Sequence, residues 1–186
     1  MNNPVAVNLQ EAWSSIGISE QHIYGRALPI YEDVSELETA ETSMSGRLHR
    51  LVPSAATAWR SMKQAAANDS VEIYIISGHR SIERQVQLIA TKLAAGEAID
   101  EILSVVAPPG CSEHHTGRAV DIGTPLSTPL QLEFESTPAF RWLGQNAGKF
   151  GFHLSYPPSN EWGFVYEPWH WCHSEAAAQQ IVAADV

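Results

Sequence analysis

Residues 112–122 read Ser-Glu-His-His-Thr-Gly-Arg-Ala-Val-Asp-Ile, and their pattern decides the fold. Gly117 lets the chain turn tightly. After it, residues 118–122 read as a short strand, with Ala119 and Asp121 on one side and Val120 and Ile122 on the other. One side suits a packed core and the other carries a carboxylate. His114 stands on the loop before this strand, seven residues ahead of Asp121. An imidazole and a carboxylate held by different pieces of backbone can converge on one cation, and zinc accepts both. Spacing alone is a weak signal. The ordinary alternative has His114 or His115 capping a turn and Asp121 pairing with Arg118.

Downstream, residues 163–171 read Gly-Phe-Val-Tyr-Glu-Pro-Trp-His-Trp and predict a strand. Pro168 cannot donate to a ladder, so it marks an edge or a bulge. In a regular strand Glu167 and His170 face opposite ways, whereas a distortion at Pro168 brings them to one site. Trp169 and Trp171 then point away from His170 into a packed layer. Read chemically, His170 is a third metal ligand and Glu167 a general base, because two histidines and one carboxylate leave a coordination position open. The plain alternative is an aromatic edge strand with a surface Glu. A closed site of Cys111, His114, His170 and Cys172 also competes. It leaves Asp121 and Glu167 without a role, and a core of this size needs no structural metal. Packed, inert thiols fit better.

Upstream, residues 77–85 read Ser-Gly-His-Arg-Ser-Ile-Glu-Arg-Gln and span a strand-to-helix junction. Arg80 lies at the mouth of a helix N-terminus, where free N–H groups and a guanidinium both favour an anion. A surface ion pair is the ordinary reading.

Around these motifs, Pro53 opens a helix over 53–67 with Ala56, Trp59, Met62 and Ala66 at helical spacing. Residues 71–77 predict a buried strand. Ser81 caps a second helix carrying Ile82, Val86, Ile89 and Leu93, with Gly96 past its end. Residues 98–105 predict a short third helix, and Pro108-Pro109-Gly110 a loop. Ser136 or Thr137 caps a helix through Phe140, Leu143 and Ala147 that closes near Gly151. A strand over 152–155, a turn at Tyr156-Pro157-Pro158 and a last helix over 174–182 complete the list. Helices early and short strands late predict an α+β fold: a small, largely antiparallel sheet with helices packed on it. In residues 1–50, Trp13, Ile16 and Ile18 anchor a short helix and the segment after Tyr31 is acidic. The expectation is one domain over 1–186, with 1–50 an extension wrapping a catalytic core at 51–175.

The chain has 186 residues, 44% of them hydrophobic, and a net charge of −10. That excludes a disordered chain and disfavours nucleic-acid binding, which needs basic clusters. There is no polybasic segment for a membrane surface and no run of the ~18 apolar residues a membrane span needs. The N-terminus lacks a basic start followed by an apolar run, so a complete chain is expected in the cytoplasm. There Cys111 and Cys172 are expected as thiols.

Taken together, the motifs resemble the zinc D-Ala-D-Ala carboxypeptidases of the vancomycin-resistance type, in the LAS superfamily. That family carries S-G-Y-R-S-x-x-x-Q, then S-x-H-x-x-G-x-A-x-D, then E-P-W-H-W. This chain reads SGHRSIERQ, SEHHTGRAVD and EPWHW in the same order, and FGFHLSYP at 150–157 also resembles the family's run before the last motif. His79 stands where an aromatic is usual, and Cys172-His173 where the family often has Arg. The resemblance implies a LAS-type metallopeptidase fold with zinc held by His114, Asp121 and His170. It implies Glu167 as catalytic base, Arg80 on the carboxylate of the terminal D-amino acid, and Ser112 and Gln85 positioning the peptide. His79, in place of the aromatic, bears on the wall of the substrate pocket; His115, His153 and His173 are read as structural, with stabilisation of the oxyanion the alternative for each. The implied substrates are peptidoglycan stem peptides. Two further readings are an endopeptidase of the endolysin or effector kind and a zinc module without catalysis; the intact Glu167 argues against the second. An enzyme confined to the cytoplasm would meet tetrapeptides returned from wall turnover, so L,D-carboxypeptidase activity is expected ahead of D,D-activity.

Overall fold

The structure is a computed structural model that describes residues 8–174. Two short helices come first, α1 (Leu9–Ser15), capped by Asn8, and α2 (Glu20–Tyr24). Trp13, Ile16 and Ile18 are buried, as their apolar character predicts, and Trp13 Nε1 donates to Pro109 O at 2.7 Å. An antiparallel hairpin follows, β1 (Glu38–Thr42) and β2 (Leu48–Leu51). It straddles the boundary expected at residue 50, and the sequence does not announce it, because its strands are polar and short.

Helix α3 (Pro53–Asn68) buries Ala55, Ala56, Trp59, Met62 and Ala66 along one face. Burying each large apolar side chain of this kind contributes about 1.5–3 kcal/mol. Strand β3 (Tyr74–Ser77) is shorter than the predicted 71–77. The Val71 N–H donates to Ala66 O at 2.8 Å and closes the end of α3, so the first residues of that run belong to a turn. Helix α4 (Ile82–Ala94) starts at Ser81, whose hydroxyl accepts from Arg84 N–H, and α5 (Ile99–Val105) follows. Then come β4 (Ala119–Gly123), α6 (Pro138–Asn146) capped by Thr137, β5 (Phe152–Leu154) and β6 (His170–His173).

The strand predicted over 163–171 does not form; only its last two residues enter β6. Pro168 has no N–H to offer a ladder. The neighbouring donors bond elsewhere: Val165 N–H to Ser104 O at 3.0 Å and Glu167 N–H to Tyr156 O at 3.1 Å. The helix predicted over 174–182 lies, after its first residue, outside the described residues.

The four strands run antiparallel in the order β3-β4-β6-β5. Ile75, Val120, Ile122, Phe152 and Trp171 join one core with residues of α3 and α6. A second apolar cluster packs Trp13, Ile23 and Leu28 against Ile89, Ile102 and Phe164. This is the α+β arrangement of small antiparallel sheet and helices. Among the described residues, no helix is long and apolar enough to cross a membrane.

Candidate active site

Strand register builds the centre of the site. Asp121 on β4 and His170 on β6 are direct partners across the ladder, so their side chains leave the sheet on the same face. That face is opposite to Val120 and Trp171. His114 reaches the same point from a single 3-10 turn, Glu113–Thr116, that precedes β4. The turn ends at Gly117 with φ 63°, and a Cβ there would lie 2.9 Å from Leu37 Cδ2. Only glycine satisfies both the backbone angle and the space.

One ligand atom from each of His114, Asp121 and His170 lies within 4.8 Å of the others, and all three residues are buried. His114 Nε2 is 3.3 Å from Asp121 Oδ2, and His170 Nδ1 is 3.1 Å from Asp121 Oδ1. The remaining ring nitrogens are occupied. His114 Nδ1 donates to Gly78 O at 2.7 Å, which leaves its Nε2 lone pair facing Asp121. Gly78 itself lies close against β2, where a Cβ would meet Arg50 O at 2.9 Å. His170 Nε2 lies 2.9 Å from Glu113 Oε2. A carboxylate behind a histidine in this way fixes the ring and raises its basicity as a ligand.

The charges suit a cation. Burial raises the Asp121 carboxyl, but His114 and His170 outweigh it and hold it well below the usual range. Burial likewise raises Glu113, and His170 pulls it below its ordinary value. Burial opposes protonation of His170, yet Asp121 and Glu113 outweigh it and raise the imidazole to about 10. Two ionised carboxylates sharing a dry site with two imidazoles suit a divalent ion with nitrogen and oxygen ligands, and zinc takes this set. Among the described residues, neither thiol belongs to the cluster. Cys111 packs in the second apolar cluster, and Cys172 sits opposite Ala119 across the β4–β6 ladder.

Glu167 reaches the cluster by a turn rather than along a strand. His170 N–H donates to Glu167 O at 3.1 Å, and this reversal sets Glu167 Oε2 3.9 Å from His170 Nδ1. Burial first, then the carboxylates of Asp121 and Glu113, push Glu167 up to about 7 against the pull of His170 and Arg80. Glu167, Arg80, Ser112 and the three cluster residues all line one cleft of about 300 Å³. Trp171 packs in the core as expected, whereas Trp169 also lines this cleft.

Arg80 is held from several sides. Its Nη1 donates to Gln85 Oε1 at 3.0 Å and its Nη2 to Ser77 Oγ at 3.2 Å, and Nη2 stands 3.9 Å from Asp121 Oδ2. Its backbone is clasped by the His114–His115 loop, N–H to His114 O at 3.2 Å and C=O from His115 Nδ1 at 2.6 Å. His115 Nε2 accepts from Gly110 N–H at 3.1 Å, so the ring bridges two loops. Gln85 is fully buried behind Arg80, and its amide nitrogen donates to Ala107 O at 2.6 Å. Ser112 Oγ accepts from His114 N–H at 3.4 Å.

His79 turns to the N-terminal segment. Its Nε2 lies 2.8 Å from Asp33 Oδ1, while Asp33 Oδ2 accepts the Ile82 N–H that opens α4, at 2.9 Å. His153 is exposed, opposite Cys172, and the His173 ring packs on Phe152 with centroids 5.3 Å apart. Glu113 and Asp33 were not singled out from sequence. Glu113 had one available signal, its place beside His114 inside the Ser112–Asp121 motif; Asp33 had none.

Comparison with known proteins places this geometry. The VanY family profile, described as D-alanyl-D-alanine carboxypeptidase, matches residues 48–176. YodJ of Bacillus subtilis (strain 168) is 35% identical over 133 residues, 69% of this chain and 48% of that protein. A D-alanyl-D-alanine carboxypeptidase of Enterococcus faecalis is 34% identical over 117 residues, 58% of this chain and 42% of that protein. The chain therefore spans about half, or less, of these curated relatives. Among solved structures, the LdcB LD-carboxypeptidase is 32% identical with a TM-score of 0.64, over 86% of this chain and 72% of that one. A mutant of the vancomycin-resistance D,D-pentapeptidase VanY, in complex with Zn(II), is 28% identical with a TM-score of 0.62, over 84% of this chain and 92% of that one.

Fold and site together define a LAS-type metallopeptidase. Within that class, the chain belongs to the VanY family of D-alanyl-D-alanine carboxypeptidases.

Proposed function

We propose that the protein is a zinc carboxypeptidase that removes the C-terminal D-alanine from peptidoglycan stem peptides. The observation that carries this reading is the convergence of His114, Asp121 and His170 on one point of a cleft that Glu167 and Arg80 also line. The two-histidine, one-aspartate set fits zinc. When bound, zinc supplies Lewis acidity that polarises the scissile carbonyl and acidifies water.

The chain's own residues do the rest. Glu167, with a carboxyl pushed up to about 7, takes a proton from the attacking water and delivers it to the leaving amine as the C–N bond breaks. Arg80, preset by Gln85 and Ser77, grips the free carboxylate of the departing residue. Ser112 spends its oxygen lone pair on His114 N–H, and its hydroxyl hydrogen is left to bond the peptide. Gln85 acts on substrate through Arg80, whose orientation it fixes.

The proposed preference is for the tetrapeptide, an L,D-cleavage. Its support is the likeness to the LdcB LD-carboxypeptidase, at 32% identity. The D,D-reading has the support of the enterococcal D-alanyl-D-alanine carboxypeptidases, at 34% and 33% identity. Incubating the zinc-loaded protein with tetrapeptide and pentapeptide separately decides between them. A higher kcat/KM on tetrapeptide, with D-alanine and tripeptide as products, is the expected result. Preferential conversion of pentapeptide to tetrapeptide overturns it in favour of D,D-cleavage.

A further inference from the structure

Residues 31–34, Tyr-Glu-Asp-Val, precede the stretch 48–176 that matches the family, yet they are tied into the site. Tyr31 N–H donates to Gly110 O at 2.7 Å and Val34 N–H to His115 O at 3.2 Å. The chain is therefore pinned, on both sides of Asp33, to the loop that carries His114 and His115. From between these two pins the Asp33 carboxylate reaches the strand-to-helix junction that carries Arg80. Its Oδ1 lies 2.8 Å from His79 Nε2, and its Oδ2 accepts the Ile82 N–H at 2.9 Å. One carboxylate thus holds the residue before Arg80 and the second residue after it.

The bonds around Arg80 show what this adds. The Arg80 N–H and C=O are taken by His114 and His115, and the His79 N–H donates to Arg50 O at 2.9 Å. Ser81 Oγ accepts from Arg84 N–H at 3.2 Å. The Ile82 N–H opens α4 and finds no partner inside the helix. Asp33 supplies one, and an anion is favoured at that helix end. The carboxylates that act most strongly on the guanidinium itself are Asp121 and Glu167, so Asp33 works on Arg80 through the backbone on either side of it. The His79 and Asp33 side chains are 15% and 27% exposed, and a pair so placed adds little stability by itself. Its effect is on geometry.

We infer that Asp33 is a positioning residue for the substrate carboxylate: it fixes the span between the point where His114, Asp121 and His170 converge and the guanidinium of Arg80. That span sets the length of chain that fits between the scissile carbonyl and a terminal carboxylate. His114 stands on a single 3-10 turn, and Arg80 lies between β3 and α4, so neither belongs to a long rigid element. Asp33 and its two flanking bonds tie one to the other. With this tie cut, Arg80 keeps its charge but its fork is no longer held where the carboxylate arrives. A misplacement of ~1 Å in a positioned group can cost about 10² in rate. The inference rests on the carboxypeptidase reading above and goes beyond it by giving the segment ahead of the family match a part in the site.

The test compares Asp33→Ala, Asp33→Asn, His79→Ala and the Asp33→Ala/His79→Ala double variant with the wild-type protein, all zinc-loaded. The substrates are the stem peptide that the wild type hydrolyses and the same peptide with an amidated C-terminus. Asp33→Ala is expected to lower kcat/KM on the free-carboxylate peptide about tenfold and on the amidated peptide much less, so that the ratio of the two narrows. Zinc content and melting temperature should hold. Asp33→Asn keeps an oxygen for the Ile82 N–H and should lose less. The double variant should lose less than the sum of its parts, because the two residues share one contact. A readout without turnover is the titration of N-acetyl-D-alanine into isotope-labelled protein, followed at the Arg80 side-chain N–H signal. Asp33→Ala should weaken this binding about tenfold. Equal losses on the free and amidated peptides overturn the inference and leave Asp33 a structural support. So do additive losses in the double variant, and so does an N-acetyl-D-alanine affinity unchanged in Asp33→Ala. If zinc-bound wild-type protein hydrolyses neither tetrapeptide nor pentapeptide, the carboxypeptidase reading falls and the N-acetyl-D-alanine titration alone decides the role of Asp33. A wild-type Arg80 signal that does not respond to N-acetyl-D-alanine overturns that role too.

Discussion

Glu113 and His170, 57 residues apart in sequence, meet in the interior with Oε2 and Nε2 2.9 Å apart. That contact fixes which nitrogen of His170 faces Asp121. It makes Glu113 a candidate positioning residue for the His114–Asp121–His170 cluster. Glu113→Gln keeps the shape and removes the charge. Zinc affinity is expected to fall about 10–100-fold, the usual cost of losing such a partner. Competition with a chromophoric chelator measures it, and unchanged affinity would remove Glu113 from the cluster's support.

The cluster itself is tested by stoichiometry. The wild-type protein should bind one zinc, and His114→Ala, Asp121→Ala and His170→Ala should each lose it, because three protein ligands are the minimum of an open site. Cys111→Ser and Cys172→Ser should keep it. Metal analysis of the purified variants decides, and loss of zinc in the cysteine variants with zinc kept in Asp121→Ala would restore the closed thiol site.

Glu167→Gln separates base from ligand. Its carboxylate stands 3.9 Å from His170 Nδ1. Zinc content and melting temperature should be retained, while kcat falls by about 10² or more, the contribution of a positioned general base. Near-normal turnover in a zinc-replete variant would assign the proton transfer to another group.

Arg80→Ala should cripple hydrolysis of peptides with a free C-terminal carboxylate, since a buried anion loses a charge-assisted partner. Gln85→Ala should act in the same direction but more weakly, because it frees the guanidinium without removing it. The wild-type enzyme should discriminate strongly against a C-terminally amidated peptide. Equal rates on the free and amidated forms would rule out an exopeptidase.

Cys111 supplies a pH prediction. Burial pushes its thiol up to about 12, against a smaller opposing effect of Arg26. A thiol more acidic in the unfolded chain than in the folded protein stabilises the fold below the unfolded value and loses that contribution as pH rises towards the folded one. Stability should therefore decline between about pH 9 and pH 12. At pH 8 the thiol should resist a disulfide reagent until the protein unfolds. Denaturant melts across this range and a timed thiol titration check both.

Much of the fold was legible because it is set by near neighbours. Pro53, Ser81 and Thr137 start helices through local geometry, and Trp59, Met62 and Ala66 mark a buried face by their spacing. The strand expected over 163–171 failed for a reason also local in origin, since Pro168 withholds a donor, but its neighbours' bonding partners, Ser104 and Tyr156, were remote.

The sequence by itself determined the chemical inventory: His114, Asp121, His170, Glu167 and Arg80 in ordered motifs, with Asp121 on the expected strand and Arg80 just ahead of the expected helix. Tertiary structure alone decided how they are held. Glu113 behind His170, Gln85 behind Arg80 and Asp33 bridging His79 to the start of α4 are pairings across chain separations that no local period encodes. So is the Lys92 side of the cleft, where residues of α4 face Val105, Leu130 and Val165. The physical reason is that periodicity records which face of an element is buried, whereas side-chain partnership follows from sheet register and packing. A shift of one residue in the β4–β6 register would turn Asp121 or His170 to the wrong side of the sheet.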